Sequence, residues 1–89
     1  HIRAARAGDG SFLIAYLPRG SPAGIHMDRI SAKNVKARWF DPRDGTWREI
    51  GVYANTGTRE FLAPSQGAQA DWVLVLEDAE RSAPTRRSE

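Results

Sequence analysis

Residues 39–51 read WFDPRDGTWREIG. Two aromatic-rich segments flank DPRDG, a turn by composition. Pro42 presets φ at the first turn position and Gly45 accepts the left-handed conformation. A four-residue loop over 42–45, built around a type I turn, predicts a β-hairpin. In that hairpin Asp41 faces Thr46, Phe40 faces Trp47, Arg38 faces Glu49 and Ala37 faces Ile50. Opposite charges then meet on one face and apolar residues on the other, whereas a one-residue slip sets Ile50 against Arg38.

The register separates two tryptophans. Trp39 falls on the face of Val35, Ala37, Ile50 and Val52, which is expected to be core. Trp47 falls with Phe40, Arg38, Lys36 and Glu49, on a face that reads as polar apart from the aromatic pair. Phe40 and Trp47, bordered by Arg38 and Glu49, are therefore the candidate binding or docking patch, since an apolar patch on a wet surface marks interfaces. Two uses are open at this stage. The patch could dock another part of a parent polypeptide, or its rings could stack on the flat apolar faces of sugars or prolines.

Outward from the hairpin, short apolar runs alternate with turn residues. Strands are expected over 2–6, 11–17, 24–29, 35–40, 46–53, 58–63 and 71–77, with turns at GDG, PRGSP, ANTG and PSQGAQA. SFLIAYL (11–17) is apolar on both faces, as a strand covered on both sides would be. Trp72, with Leu74 and Leu76, is expected in the core. No window of 11 or more residues has a 3.6-residue period. Seven or eight short strands at this spacing predict an all-β antiparallel sandwich or barrel. The domain is expected over 1–78, with the polar 79–89 a disordered tail or linker.

Composition narrows the function. At 89 residues the chain is one domain, too short for a catalytic barrel. Thirteen basic residues oppose eleven acidic ones, for a net charge of +2, and the two signs are interspersed. Arg86 and Arg87 are the nearest approach to a basic stripe, so no nucleic-acid partner is expected. The absence of cysteine removes disulfides and thiolate metal sites. No apolar run approaches the roughly 20 residues of a membrane span, so no membrane partner is expected. The chain starts at His1 without methionine or signal peptide, which suggests a piece of a longer protein with its targeting information upstream.

Catalytic chemistry has no evident seat. His1 stands at the end of the chain. His26 alternates with Asp28 but has no second ligand at metal spacing. Asp9, Asp41 and Asp44 sit in turns, where aspartate bonds the backbone. No calcium-loop spacing occurs. Ser11 lies in DGSFL rather than a G-x-S-x-G elbow, and no helix follows Gly8 and Gly10 to make a phosphate cradle. No pair of carboxylates can be assigned to glycoside hydrolysis. No catalytic residue, metal or cofactor is expected.

Four segments in order carry a resemblance: Tyr16, Pro18 and Gly20; Trp39 to Gly45; Phe61 and Pro64; and Asp71 to Leu74. Together they resemble the family known as the putative collagen-binding domain of a collagenase, across nearly the whole chain except its tail. The resemblance implies a β-sandwich appended C-terminally to a (β/α)-barrel glycoside hydrolase, often apiosidase-like, in secreted bacterial enzymes. It thus implies an extracellular or periplasmic location and catalytic carboxylates upstream. The leading expectation is a non-catalytic accessory domain whose partner is the upstream barrel of the same polypeptide, with polysaccharide as a further ligand. The alternative is a protein-binding module that engages collagen or another proline-rich ligand, with Arg38, Arg43 and Arg48 as hydrogen-bond donors. A third reading, that the domain is itself a hydrolase, has no supporting constellation.

Overall fold

The segment Asn34–Asp41 is a strand because its alternate residues Val35, Ala37 and Trp39 are apolar and its others polar or aromatic. The pleat sends the first set to one face, where all three are buried. In the computed structural model, which describes residues 3–6, 10 and 12–82, this strand is the fourth of seven. They are β1 (Arg3–Arg6), β2 (Phe12–Leu17), β3 (Ala23–His26), β4 (Asn34–Asp41), β5 (Thr46–Ala54), β6 (Thr58–Phe61) and β7 (Trp72–Asp78). One helical turn, α1 (Ala79–Ser82), follows β7.

The strands form two antiparallel sheets, one of five in the order β1-β2-β7-β4-β5 and one of two, β3-β6. The fold is all-β, as its sequence pattern predicts. One core cluster joins both sheets. The large sheet contributes Leu13, Ala15 and Leu17 from β2, Trp72, Leu74 and Leu76 from β7, and Val35, Ala37 and Trp39 from β4. The small sheet contributes Ala23, Ile25 and Phe61. Met27 and Ile30, in the connection from β3 to β4, complete it. Each fully buried aliphatic side chain contributes about 1.5–3 kcal/mol. Trp39 and Trp72 meet edge to face, ring centroids 6.2 Å apart, and Tyr53 meets Phe61 likewise at 5.9 Å.

Two expectations are corrected. β2 is covered on one face only: Leu13, Ala15 and Leu17 are buried, but Phe12, Ile14 and Tyr16 are exposed. The hairpin register holds from Asp41–Thr46 through Phe40–Trp47 to Arg38–Glu49, then shifts, so that Ala37 faces Gly51 and not Ile50. Ile50 is the extra residue of a β-bulge. Beyond it the faces exchange. Val52, expected in the core, lies opposite Lys36 and is 57 % exposed, while Tyr53 opposite Val35 packs against the core.

Of the expected tail, Ala79–Ser82 forms the helical turn, and 83–89, with Arg86 and Arg87, lie outside the described residues. So do His1, Gly8, Asp9 and Ser11. No helix among the described residues is long and apolar enough to cross a membrane, which leaves β-barrel spans unaddressed.

Candidate functional site

The outer face of the five-stranded sheet is built by register. Phe40 on β4 faces Trp47 on β5 and Val73 on β7, and Val73 faces Tyr16 on β2. An apolar row thus crosses four adjacent strands. The next row, two residues along, runs Ile14, Val75, Arg38, Glu49. A third runs Phe12, Glu77, Lys36, Val52. The hairpin pattern places Phe40, Trp47, Arg38 and Glu49 together on this face, and the structure does so. It misses the extension of the patch across β7 and β2. The signal was present in the both-sided apolarity of SFLIAYL, which marks an exposed apolar face here and not a covering layer.

Within the patch, Phe40 and Trp47 are in contact, centroids 4.8 Å apart and planes tilted by 53°. The Arg38 guanidinium lies over the Trp47 ring, 4.2 Å from its centroid. Its Nη2 donates to Glu77 Oε2 at 2.6 Å. Arg38 therefore bonds Glu77 and not its register partner Glu49, which pairs with Lys36 at 3.6 Å. Arg38 Nε is buried with no hydrogen-bond partner.

A second cluster secures the hairpin tip. Asp41 is 5 % exposed, the buried charge among the described residues. Arg43 grips it through two side-chain bonds, Nε to Oδ1 at 3.0 Å and Nη2 to Oδ2 at 2.9 Å. Its backbone N–H also donates to Asp41 Oδ1, and its Nη1 donates to the Gln69 carbonyl at 2.6 Å. Two residues on from Gln69, Asp71 accepts from the Tyr16 hydroxyl and the Arg19 N–H, each at 2.9 Å. Arg19 stands in the left-handed region at φ 58°. The bond from Arg43 holds the Asp41 carboxyl below its ordinary pKa. The N–H of Arg19, then the Tyr16 hydroxyl, do the same for Asp71, and the bond to Asp71 raises the Tyr16 phenol. Trp72 Nε1 donates to Ser65 Oγ at 3.1 Å, with Arg48 5.2 Å from its ring centroid.

These bonds give three of the four motifs a physical role. Tyr16 and Arg19 from one meet Asp71 from another, and Asp41 and Arg43 from a third reach the loop between them. The turn reading of Asp41 is right as far as its backbone bond goes, and does not foresee its burial or the grip of Arg43. His26 is exposed, with Nδ1 3.2 Å from Thr58 Oγ1. No group of three or more His, Cys, Asp or Glu that could hold a metal ion occurs among the described residues.

A family model described as "Putative collagen-binding domain of a collagenase" matches residues 1–77. Among solved structures, a chain titled "Glycoside hydrolase" superposes with a TM-score of 0.74 at 26 % identity, over 80 % of this chain and 16 % of that one. A glycoside hydrolase family 5 protein from Bacteroides vulgatus superposes with a TM-score of 0.78 at 27 % identity, over 86 % of this chain and 16 % of that one. This chain thus spans about a sixth of the length of each solved relative. No curated protein matches it.

Proposed function

The chain belongs to the family described as the putative collagen-binding domain of a collagenase, and from that premise we propose that it is a non-catalytic accessory domain of a secreted glycoside hydrolase. The observation that carries this reading is the recurrence of the fold as 16 % of two glycoside hydrolase chains. Those chains devote most of their length to something other than this fold. The domain supplies a rigid sheet and a surface, and the catalytic carboxylates lie in the barrel upstream. It stands C-terminal to that barrel and works outside the cytoplasm, as the family implies.

The test is hydrolysis. The 89-residue chain is assayed against a panel of plant polysaccharides beside the polypeptide that contains it. Activity is expected in the longer polypeptide and not in the isolated chain. Turnover by the isolated chain, abolished by a single carboxylate substitution, overturns the reading.

The family description favours a second reading, a collagen- or protein-binding module. Two of the three arginines it would use are engaged within the domain: Arg38 with Glu77, and Arg43 with Asp41 and the Gln69 carbonyl. Releasing either for a ligand would sacrifice a charge-assisted bond already made. That cost ranks the second reading below the first.

A further inference from the structure

We propose that the outer face of the five-stranded sheet is a protein-docking surface occupied by the catalytic unit of the same polypeptide, with Phe12, Ile14 and Tyr16 of β2 belonging to it as fully as Phe40 and Trp47. The proposal rests on the accessory-domain reading and deepens it, naming the surface and its occupant.

The face has the composition of an interface. Its row at the hairpin end is apolar and aromatic, from Tyr16, Val73, Phe40 and Trp47, and Ile14 and Val75 carry the apolar surface into the next row beside Arg38 and Glu49. The charges it presents on β4, β5 and β7 are matched within the sheet, Arg38 with Glu77 and Lys36 with Glu49. Covering these three strands therefore buries pairs and not lone ions, which limits the desolvation cost.

The face is poorly made for sugar. A stacking platform offers an open, flat ring. Arg38 already lies over the Trp47 ring, and Phe40 meets Trp47 at a 53° tilt. Val73, Val75 and Ile14 offer no ring, and the exposed rings of Phe12 and Tyr16 stand four residues apart along β2, about 13 Å by strand rise, too far to make one platform.

Area decides between a free partner and a tethered one. Five strands spaced about 4.8 Å apart make a face roughly 20 Å wide. The six residues of β2 make it roughly 20 Å long at about 3.4 Å per residue. That is on the order of 400 Å², about half of one partner's share of a standard interface. Two copies pressed together would bury too little to hold at ordinary dilution. A unit joined to the domain by the chain meets it at millimolar effective concentration, where such an area suffices. β1 runs along the sheet edge next to β2 with Arg3, its first residue, opposite Tyr16, so a unit preceding it enters at the Tyr16 end of the face.

The experiment is hydroxyl-radical footprinting with mass spectrometry, on the 89-residue chain and on the polypeptide that joins it to its catalytic unit. In the isolated chain Phe12, Tyr16 and Trp47 are expected to label readily. In the longer polypeptide their labelling should fall several-fold, while Leu62, which is exposed and follows β6, labels equally in both. Ile14→Glu should restore labelling of Trp47 in the longer polypeptide without changing the melting temperature of the isolated chain. Equal labelling of the three aromatics in both forms overturns the proposal. So does an isolated chain that sediments as a dimer with these residues protected, or saturable binding of soluble xylan or β-glucan by the isolated chain that is lost in Trp47→Ser. Glycoside hydrolysis by the longer polypeptide is measured alongside. An active polypeptide with an unprotected face overturns the docking and leaves the accessory reading standing, whereas one with no such activity overturns that reading and its catalytic occupant together.

Discussion

Trp39 and Trp47 stand eight residues apart on one hairpin and face opposite ways. Trp39 is 6 % exposed and packs edge to face on Trp72, while Trp47 is 48 % exposed. Trp39→Ala should therefore cost about 3–5 kcal/mol, as large-to-small core changes do. Trp47→Ala should cost the isolated domain under about 1 kcal/mol. Urea unfolding of the two variants checks the pair, and equal losses would refute the facing. The tryptophan assignments were legible because one strand's alternation is enough to decide them. Asp71 was not legible, because its partners Tyr16 and Arg19 lie more than fifty residues away in sequence and meet it only through the sheet order. Its effect is visible against pH. A carboxyl held below its ordinary pKa contributes stability that is complete above the unfolded value, about 3.9. That contribution is lost as pH falls from there through the folded value. Asp41 and Asp71 are both of this kind. The melting temperature should fall as pH drops below about 4. Asp71→Asn should melt below the parent at neutral pH and closer to it in acid, and thermal melts at the two pH values decide.

The hairpin was legible as an element down to its loop length, since Asp41 does face Thr46 across residues 42–45 and Gly45 does take a positive φ of 76°. Its far half was not. The bulge at Ile50 turns Val52 outward and Tyr53 inward, and the pattern of alternation alone carried Val52 to the core. The glycine at 51 was the available signal, because an isolated glycine in a strand marks a bulge. The two-sided apolarity of β2 misled for a different reason. Burial on both faces and an exposed apolar face leave the same trace in a sequence, and only the layer arrangement separates them. Turns differ in what their glycines do. At Gly20, φ is 73° and an added Cβ would overlap the Ser65 carbonyl oxygen, whereas at Gly45 it would meet open space. Gly45→Ala should thus cost roughly 1–2 kcal/mol of backbone strain. Gly20→Ala should cost more, because it also forces apart the loop that holds Ser65. Chemical denaturation of both variants tests the order, and a larger loss at Gly45 would contradict it.

In the whole molecule, the two sheets trap one core and leave the opposite face of the larger sheet in the open. β7, which pairs with both β2 and β4, brings Tyr16, near the start of the chain, into line with Trp47, at its middle. This juxtaposition could not be read from the hairpin alone, and it changes what the aromatic pair means. Two rings on a polar face could be a small stacking site, whereas a row across four strands is broad enough for a second protein layer to cover. The consequence can be measured on the isolated domain by tryptophan fluorescence. Titration with plant polysaccharides or a triple-helical collagen peptide should give no saturable change. A proline-rich triple helix needs donors as well as rings, and Arg38 and Arg43 are bonded internally, while Arg48 on the edge strand β5 lies against the Trp72 ring on the core side. Saturable collagen binding that survives Trp47→Ala but is lost in Arg48→Ala would move the site to that edge and favour the protein-binding reading. Loss in Trp47→Ala would instead make the sheet face itself the collagen site. A flat titration across the panel fits a domain whose partner is joined to it, and whose apolar face is open only when it stands alone.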